Sequence, residues 1–199
     1  MASFDAAISF VLGNEGGYQA NPNDSGNYDE AGNLLGTRYG ITAKVARAYG
    51  YDGPMDSLPL ETAKSIYADE YWSPYMDGIA SNAIASKILD FRVNFGTGGG
   101  TKLAQRAANQ FAGVSIAEDG GLGPATVSAI NSIEPNAYMD SLIQVATEQY
   151  QAIAASDPEK ETFLSGWLNR VVKIPLDNPL ASSGVLLLLL GGAILFGRK

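Results

Sequence analysis

The chain contains no histidine and no cysteine. Those two absences exclude Cys–His and Ser–His–Asp nucleophile systems, the usual zinc ligands and any disulfide framework. Neither a G-x-S-x-G elbow nor an S-x-x-K pair occurs, so the commoner serine hydrolases drop out as well. General acid–base work then falls to Asp, Glu, Lys or Tyr, and carboxylates are the favoured chemistry for a hydrolase. Positive charge is scarce too. Thirteen Lys and Arg stand against 21 Asp and Glu, a net charge of −8, which excludes nucleic acid as a partner. No metal or cofactor is expected. Asn27 to Asn33 has the polar look of a calcium loop, but its twelfth position is Arg38 where a glutamate is required. Gly96 to Lys102 superficially resembles a phosphate loop, yet it follows a predicted helix and lacks the Walker spacing.

What is present suits one moderate domain with appendages: 199 residues, 46% of them hydrophobic, enough for a real core. Phe4, Ala7, Ile8, Val11 and Leu12 keep the rhythm of a helix with one buried face, and Gly16-Gly17 stops it. Glu15 therefore falls on the last rigid turn, where a polar loop opens. That is a good mount for a catalytic acid. The same pattern also fits an ordinary exposed glutamate before a glycine stop. Asp5 and the amphipathic pattern at the start argue against a secretory signal.

Residues 18–40 read as an irregular loop with a short β-hairpin. Thr42 caps a short helix ending near Gly50, and Pro59 starts another carrying Ala63, Ile66, Tyr67 and Glu70. Residues 82–95 form the most strongly buried helix, through Ile84, Ile88, Leu89, Phe91 and Phe95; Gly96 to Gly100 breaks it, and Thr101 to Phe111 resumes. A turn at Asp119 to Pro124 feeds a short helix to Ile130, Pro135 opens a long helix to Ile153, and Pro158 opens another with Phe163, Leu164, Trp167, Leu168 and Val171 inside. Asp90 and Glu70 read as buried structural acids, satisfied by backbone or by Arg92 or Arg106. The expected fold is mainly α, a lysozyme-like helical globule with a small β-hairpin near the site.

Asn178 to Gly197 is twenty residues without a charge, followed by Arg198 and Lys199. At ~1.5 Å per residue a helix of that length spans about 30 Å, the thickness of a bilayer core. A buried core helix would normally show a polar face, and this stretch has none, so it is expected to be a transmembrane anchor. The organisation expected is 1–80 catalytic, 81–173 a helical part packed on it, 174–177 a linker, 178–197 the membrane span and 198–199 a basic tail.

Asp24 lies nine positions after Glu15, and Thr37 lies where the loop folds back. A loop that leaves a helix end and returns can set Asp24 and Thr37 across a cleft from Glu15, where they would hold a water. Asp24 also fits a plain turn residue and Thr37 a hairpin hydroxyl. Tyr18, Tyr39, Trp72 and Tyr75 can stack on sugar rings, although aromatic residues are more often core.

Glu15-Gly-Gly-Tyr18, Asn21-Pro-Asn-Asp24 and Thr37-x-x-Gly40-Ile-Thr42 resemble the signature of the N-acetylmuramidases of glycoside hydrolase family 108, the phage endolysin and secretion-activator-type lysozymes. Ile66-Tyr67 with Tyr71-Trp72 is similar to a later helix of that family. Asp90 to Gly96, Glu118 to Thr126 and Phe163 to Arg170 resemble its C-terminal peptidoglycan-binding region. The resemblance covers roughly residues 3 to 172. It implies cleavage of the β-1,4 bond between N-acetylmuramic acid and N-acetylglucosamine, with Glu15 as general acid. A looser similarity to the catalytic trio of phage-type lysozymes, which invert, implies water-positioning roles for Asp24 and Thr37. Tyr18, Tyr39 and Trp72 are the substrate-binding candidates. The family pattern runs from the aspartate through Gly-Gly to the threonine, whereas here Asn27 to Leu35 is inserted between Gly26 and Gly36. The partners implied are peptidoglycan glycan strands and, through 178–197, a membrane: a virion's internal membrane or the bacterial inner membrane, with the domain facing the wall. A lytic transglycosylase and a non-catalytic peptidoglycan-binding component are the competing readings.

Overall fold

The structure is a computed structural model that describes residues 1–22 and 24–175, apart from the side chains of Glu15, Pro158 and Glu159. The expected membrane span at 178–197 and the tail at 198–199 lie outside the described residues, as do positions 176 and 177 of the expected linker. Among the described residues no helix is long and apolar enough to cross a membrane.

Helix α1 spans Phe4–Glu15. The Ser3 hydroxyl accepts from the Ala6 amide at its start, and Gly16 ends it with a φ of 72°, a conformation that costs glycine nothing. Its Ala7, Ile8 and Val11 are buried, as their spacing requires. The loop after it carries three two-residue strands, β1 (Tyr18–Gln19), β2 (Thr37–Arg38) and β3 (Ile41–Thr42), in an antiparallel sheet of order β1-β2-β3. The expected hairpin is thus β2–β3, extended by β1 (register Gln19 opposite Thr37, Thr37 opposite Thr42). Thr42 caps α2 (Ala43–Ala48), and α3 (Leu60–Tyr71) follows Pro59.

Helix α4 (Asn82–Asn109) is the axis on which α1, α3, α5 (Pro124–Asn131) and α6 (Pro135–Ser156) pack. The glycine run breaks it, as expected: Gly96 leaves helical geometry at φ 73°, ψ 161°, and two helical segments meet there. Gly100 lets the second segment close on the first: a Cβ there would lie 2.4 Å from the Arg92 backbone nitrogen, so only glycine allows that approach. Arg92 spans the kink, donating to the Tyr71 and Thr97 carbonyls.

The chain after α6 also differs from expectation. Pro158–Phe163 is a 3-10 turn, and α7 covers only Leu164–Val171. Val171 is buried and Trp167 partly so, but Phe163 is 59% exposed, not inside. Glu70 is exposed and accepts from the Tyr49 hydroxyl at 2.6 Å. Asp90 is buried as expected, with different partners. Arg170 reaches its Oδ1 through Nε (3.0 Å) and Nη2 (2.8 Å), and the Lys87 ammonium stands 3.6 Å from Oδ2. Arg106 instead pairs with Glu118.

Lys87 is itself fully buried and donates to the Arg170 and Lys173 carbonyls at 2.9 and 3.0 Å. These carbonyls end α7, where the helix dipole favours a cation. Burial pulls the Lys87 pKa down to about 8, against the opposing pull of Asp90. Between that value and its ordinary 10.5 the unfolded chain holds the proton more tightly, so the cost of burying the cation fades as pH rises through this window. The unfolding free energy of the parent should therefore rise relative to that of Lys87→Met between pH 8 and 10.5, as read by urea denaturation. A constant difference would show that Lys87 does not titrate there.

Candidate active site

The site is built where α1 stops. Glu15 is the last residue of α1, and Gly16-Gly17 separates it from β1. Its backbone is held through its neighbour Asn14. The Asn14 amide donates to Asp90 Oδ1 at 3.4 Å, and Lys173 donates to Asn14 Oδ1 at 3.3 Å. The end of α1 is thereby tied to the buried charge cluster of α4 and α7. The side chain of Glu15 lies outside the described residues.

Asp24 and Thr37 belong to one hydrogen-bond network, organised by two residues that carry no catalytic signature. Gln19 on β1 and Asn27 pair amide to amide: Gln19 Nε2 donates to Asn27 Oδ1 (3.0 Å), and Asn27 Nδ2 donates to Gln19 Oε1 (2.9 Å). Gln19 Nε2 also reaches Asp24 Oδ2 at 3.3 Å, and the Thr37 hydroxyl donates to Asn27 Oδ1 at 2.7 Å. The other Asp24 oxygen accepts from the Gly26 amide at 2.9 Å, which caps the 3-10 turn Ser25–Asn27. Asn27 is fully buried and also donates to the Asn21 carbonyl. Asp24 is exposed, so its carboxylate is fixed in place yet open to water.

The insertion leaves this arrangement intact because it closes on its own base. The Leu35 and Gly36 amides both return to the Asn27 carbonyl, at 2.8 and 3.0 Å. Tyr28 bridges Leu34, and Asp29 accepts from Ala31 and from the backbone and side chain of Asn33. Those bonds hold the Asp29 carboxyl below its ordinary pKa, the Asn33 side-chain bond first. The excursion leaves at Asn27 and returns at Gly36, with Tyr28 bonded to the Pro22 carbonyl and Glu30 paired with Lys44.

The three aromatic candidates are not gathered with this network. Side-chain alternation puts Tyr18 and its cross-strand partner Arg38 on the sheet face opposite to Gln19 and Thr37. Tyr18 is 45% exposed, its hydroxyl donates to Leu35, and its ring covers Gly36 so closely that a Cβ there would lie 2.5 Å from it. Tyr39 sits in the β2–β3 turn at φ 53°, an uncommon conformation for a tyrosine; the Arg38 guanidinium lies 5.0 Å from its ring and the Tyr67 hydroxyl holds its carbonyl. Trp72 is remote. It packs edge-on against Phe4 and donates to Asp77, at the opposite end of an α1 that is about 16 Å long over its eleven steps.

Two family models match end to end. Residues 8–96 match Glycosyl hydrolase 108, and residues 99–172 match Predicted Peptidoglycan domain. Residues 8–96 form a glycosyl hydrolase family 108 domain. It is a glycoside hydrolase, a peptidoglycan hydrolase of the lysozyme type. Its fold is similar to that of Brucella abortus SagA, with a TM-score of 0.63 at 24% identity over 84% of this chain and 88% of that one. No curated protein matches it. The two matched segments meet at the Gly96 kink of α4.

Within this family-108 site, Gln19 and Asn27 are the residues that sequence reasoning missed. Nothing near Asn27 is apolar enough to announce a buried position; its burial comes from a loop folding over it. Asn27→Ala should lower the unfolding free energy by about 2 kcal/mol, the cost of leaving buried partners unpaired. It should also free the Thr37 hydroxyl. Urea denaturation and wall-hydrolysis rates check both; an unchanged rate would remove Asn27 from the organisation of the site.

Proposed function

We propose that the chain is an N-acetylmuramidase that cleaves the β-1,4 bond between N-acetylmuramic acid and N-acetylglucosamine, with Glu15 as general acid and Asp24 and Thr37 holding the attacking water. The observation that carries this reading is the shared Gln19–Asn27 network, which holds an exposed carboxylate and a hydroxyl together just beyond the helix end that bears Glu15. An inverting glycosidase needs that set: one acid at the leaving oxygen and a second carboxylate for a water on the opposite face. The Thr37 hydroxyl, by donating to Asn27, keeps its oxygen lone pairs for that water. Asp24, open to solvent, accepts the water's proton. The exposed Tyr18 and the Tyr39 turn flank the sheet and offer apolar faces to the glycan; Trp72 packs away from them.

A lytic transglycosylase needs only the acid. The fixed carboxylate at Asp24 is the feature that favours hydrolysis. Glu15→Gln should lower clearing of purified cell walls by about a thousandfold and Asp24→Asn by about a hundredfold, within the range of general acid–base contributions, with circular dichroism unchanged. Mass spectrometry of the muropeptides should find a water-added reducing end. A fully active Glu15→Gln protein would sink the assignment, and a 1,6-anhydro product would replace hydrolysis by transglycosylation.

The proposal extends to place. The uncharged stretch 178–197, with Arg198 and Lys199 behind it, anchors the enzyme in a membrane. The anchor holds it in a phage virion's internal membrane or in the bacterial inner membrane, with the catalytic part facing the wall. Removing residues 178–199 should move the protein from the membrane pellet to the supernatant on fractionation; a truncated protein that still pellets counts against the anchor.

A further inference from the structure

A run of rings crosses from the core to the surface where α4, α6 and α7 meet. Phe91 and Phe95 lie 6.2 Å apart between centroids, and from Phe95 the run continues through Tyr150 (4.6 Å) and Trp167 (5.2 Å) to Phe163 (6.0 Å). The last two steps are nearly parallel, at 26° each. Core packing accounts for the buried end and not for the outer one, where Phe163 leaves 59% of its surface to water. Beside the rings is an open groove of about 310 Å³, lined also by Asn94 and Lys160.

Flat aromatic faces next to an amide and an ammonium form a surface suited to a pyranose. The ring takes the sugar's C–H face, and the polar groups take its hydroxyl and acetamido oxygens. Charge narrows the choice further. On a chain of net charge −8, Lys160 is a local cation at the groove rim, 3.3 Å from Asp157 and with further N–H donors to offer. Peptidoglycan brings carboxylates on its peptide stems. Contacts also link the groove's lining to the buried cluster under the end of α1. Asn94 lies one turn along α4 from Asp90 and donates to the Asp90 carbonyl at 2.6 Å. Trp167 lies one turn before Arg170, which clasps the same aspartate. Asp90 in turn holds Asn14, next to Glu15.

We infer that this groove is a second saccharide subsite: it binds a sugar ring of the peptidoglycan strand against Trp167 and Phe163, with a stem carboxylate at Lys160. The inference rests on the peptidoglycan-hydrolase reading and adds to it a contact away from Glu15, which grips the polymer and not the bond being cut.

Binding is measured on the full chain in detergent, in the Glu15→Gln background so that the wall is not digested, by co-sedimentation with purified sacculi. Phe163→Ala and Lys160→Gln should each weaken binding by about fivefold, the order expected of one stacking contact or one charged contact. Thermal melts check that the exposed substitutions leave the fold intact. The chain has two tryptophans, so a Trp72→Phe protein reports on Trp167 alone. Its emission should shift when a soluble N-acetylglucosamine tetrasaccharide is titrated in. Sacculus affinity within about twofold of the parent in both variants, with no response from Trp167, overturns the inference. So does a dimer, seen by gel filtration, that Phe163→Ala dissolves while sacculus binding persists, since the groove would then be a contact between two copies. Wall cleavage by the protein that keeps Glu15 is read separately. Product release with unaltered sacculus binding in the variants defeats the groove alone; sacculus binding lost in Phe163→Ala without any product from the parent supports the groove and defeats the enzymatic reading.

Discussion

The carboxylate of Asp90 is shut away from water, and the arrangement of three helices answers that fact. A buried carboxylate is costly unless it is paired and hydrogen-bonded. Here α7 delivers Arg170 to one oxygen, α4 brings its own Lys87 near the other, and the last turn of α1 adds Asn14. Lys87 has the converse need, and the carbonyls at the end of α7 meet it. Each charge is tolerable only while the others stay in place. The cluster therefore works as a clamp that sets where α1 ends, and Glu15 is the residue at that end. Pairs of this kind add little net stability compared with apolar packing. Their effect is to make any other docking of α7 expensive.

The other side of the site is organised without charge. Gln19 and Asn27 exchange two amide hydrogen bonds, and their remaining capacity goes to Asp24 and Thr37. Amides suit that task because each offers both donor and acceptor, so a carboxylate and a hydroxyl can be held at once. The Asn27 carbonyl receives the returning Leu35 and Gly36 amides, so the excursion closes on its first residue. That same residue holds Thr37, so the insertion supplies the anchor of the site while its outer part, Asp29 to Asn33, closes on itself.

The two family segments meet inside α4. One of its helical segments falls in each, with the Gly96 break at the join and Arg92 bracing it. Only Thr97 and Gly98 separate the two matched regions. The peptidoglycan domain's α7 supplies the arginine that pairs with Asp90, the carboxylate that also accepts from Asn14 on the hydrolase's first helix. The aromatic run ending at Phe163 lies where α4, α6 and α7 meet.

Helices were legible in the sequence wherever burial follows a period. Phe4 to Leu12, Ile84 to Phe91 and Tyr138 to Tyr150 show their faces in the spacing of apolar residues, and Thr42 and Pro135 mark starts by local chemistry. The glutamate at the end of α1 was legible for the same reason, because two glycines must stop a helix. Features that depend on residues distant in sequence were not. Asp90 meets Arg170 across 80 positions, so no local pattern could prefer Arg170 to Arg92 or Arg106. The break at Gly96 was legible, but only the approach of Gly100 to the Arg92 backbone shows that the run also lets the two segments pack closely. Asn27 looks like any loop residue until Gln19, Asn21 and Thr37 close around it. The sequence by itself determined the elements, the chemistry open to a chain without histidine or cysteine, and the residue at the critical helix end. The tertiary structure alone decided which charges are buried together and which polar side chains hold the site, because those choices depend on desolvation, and desolvation depends on what the fold brings near.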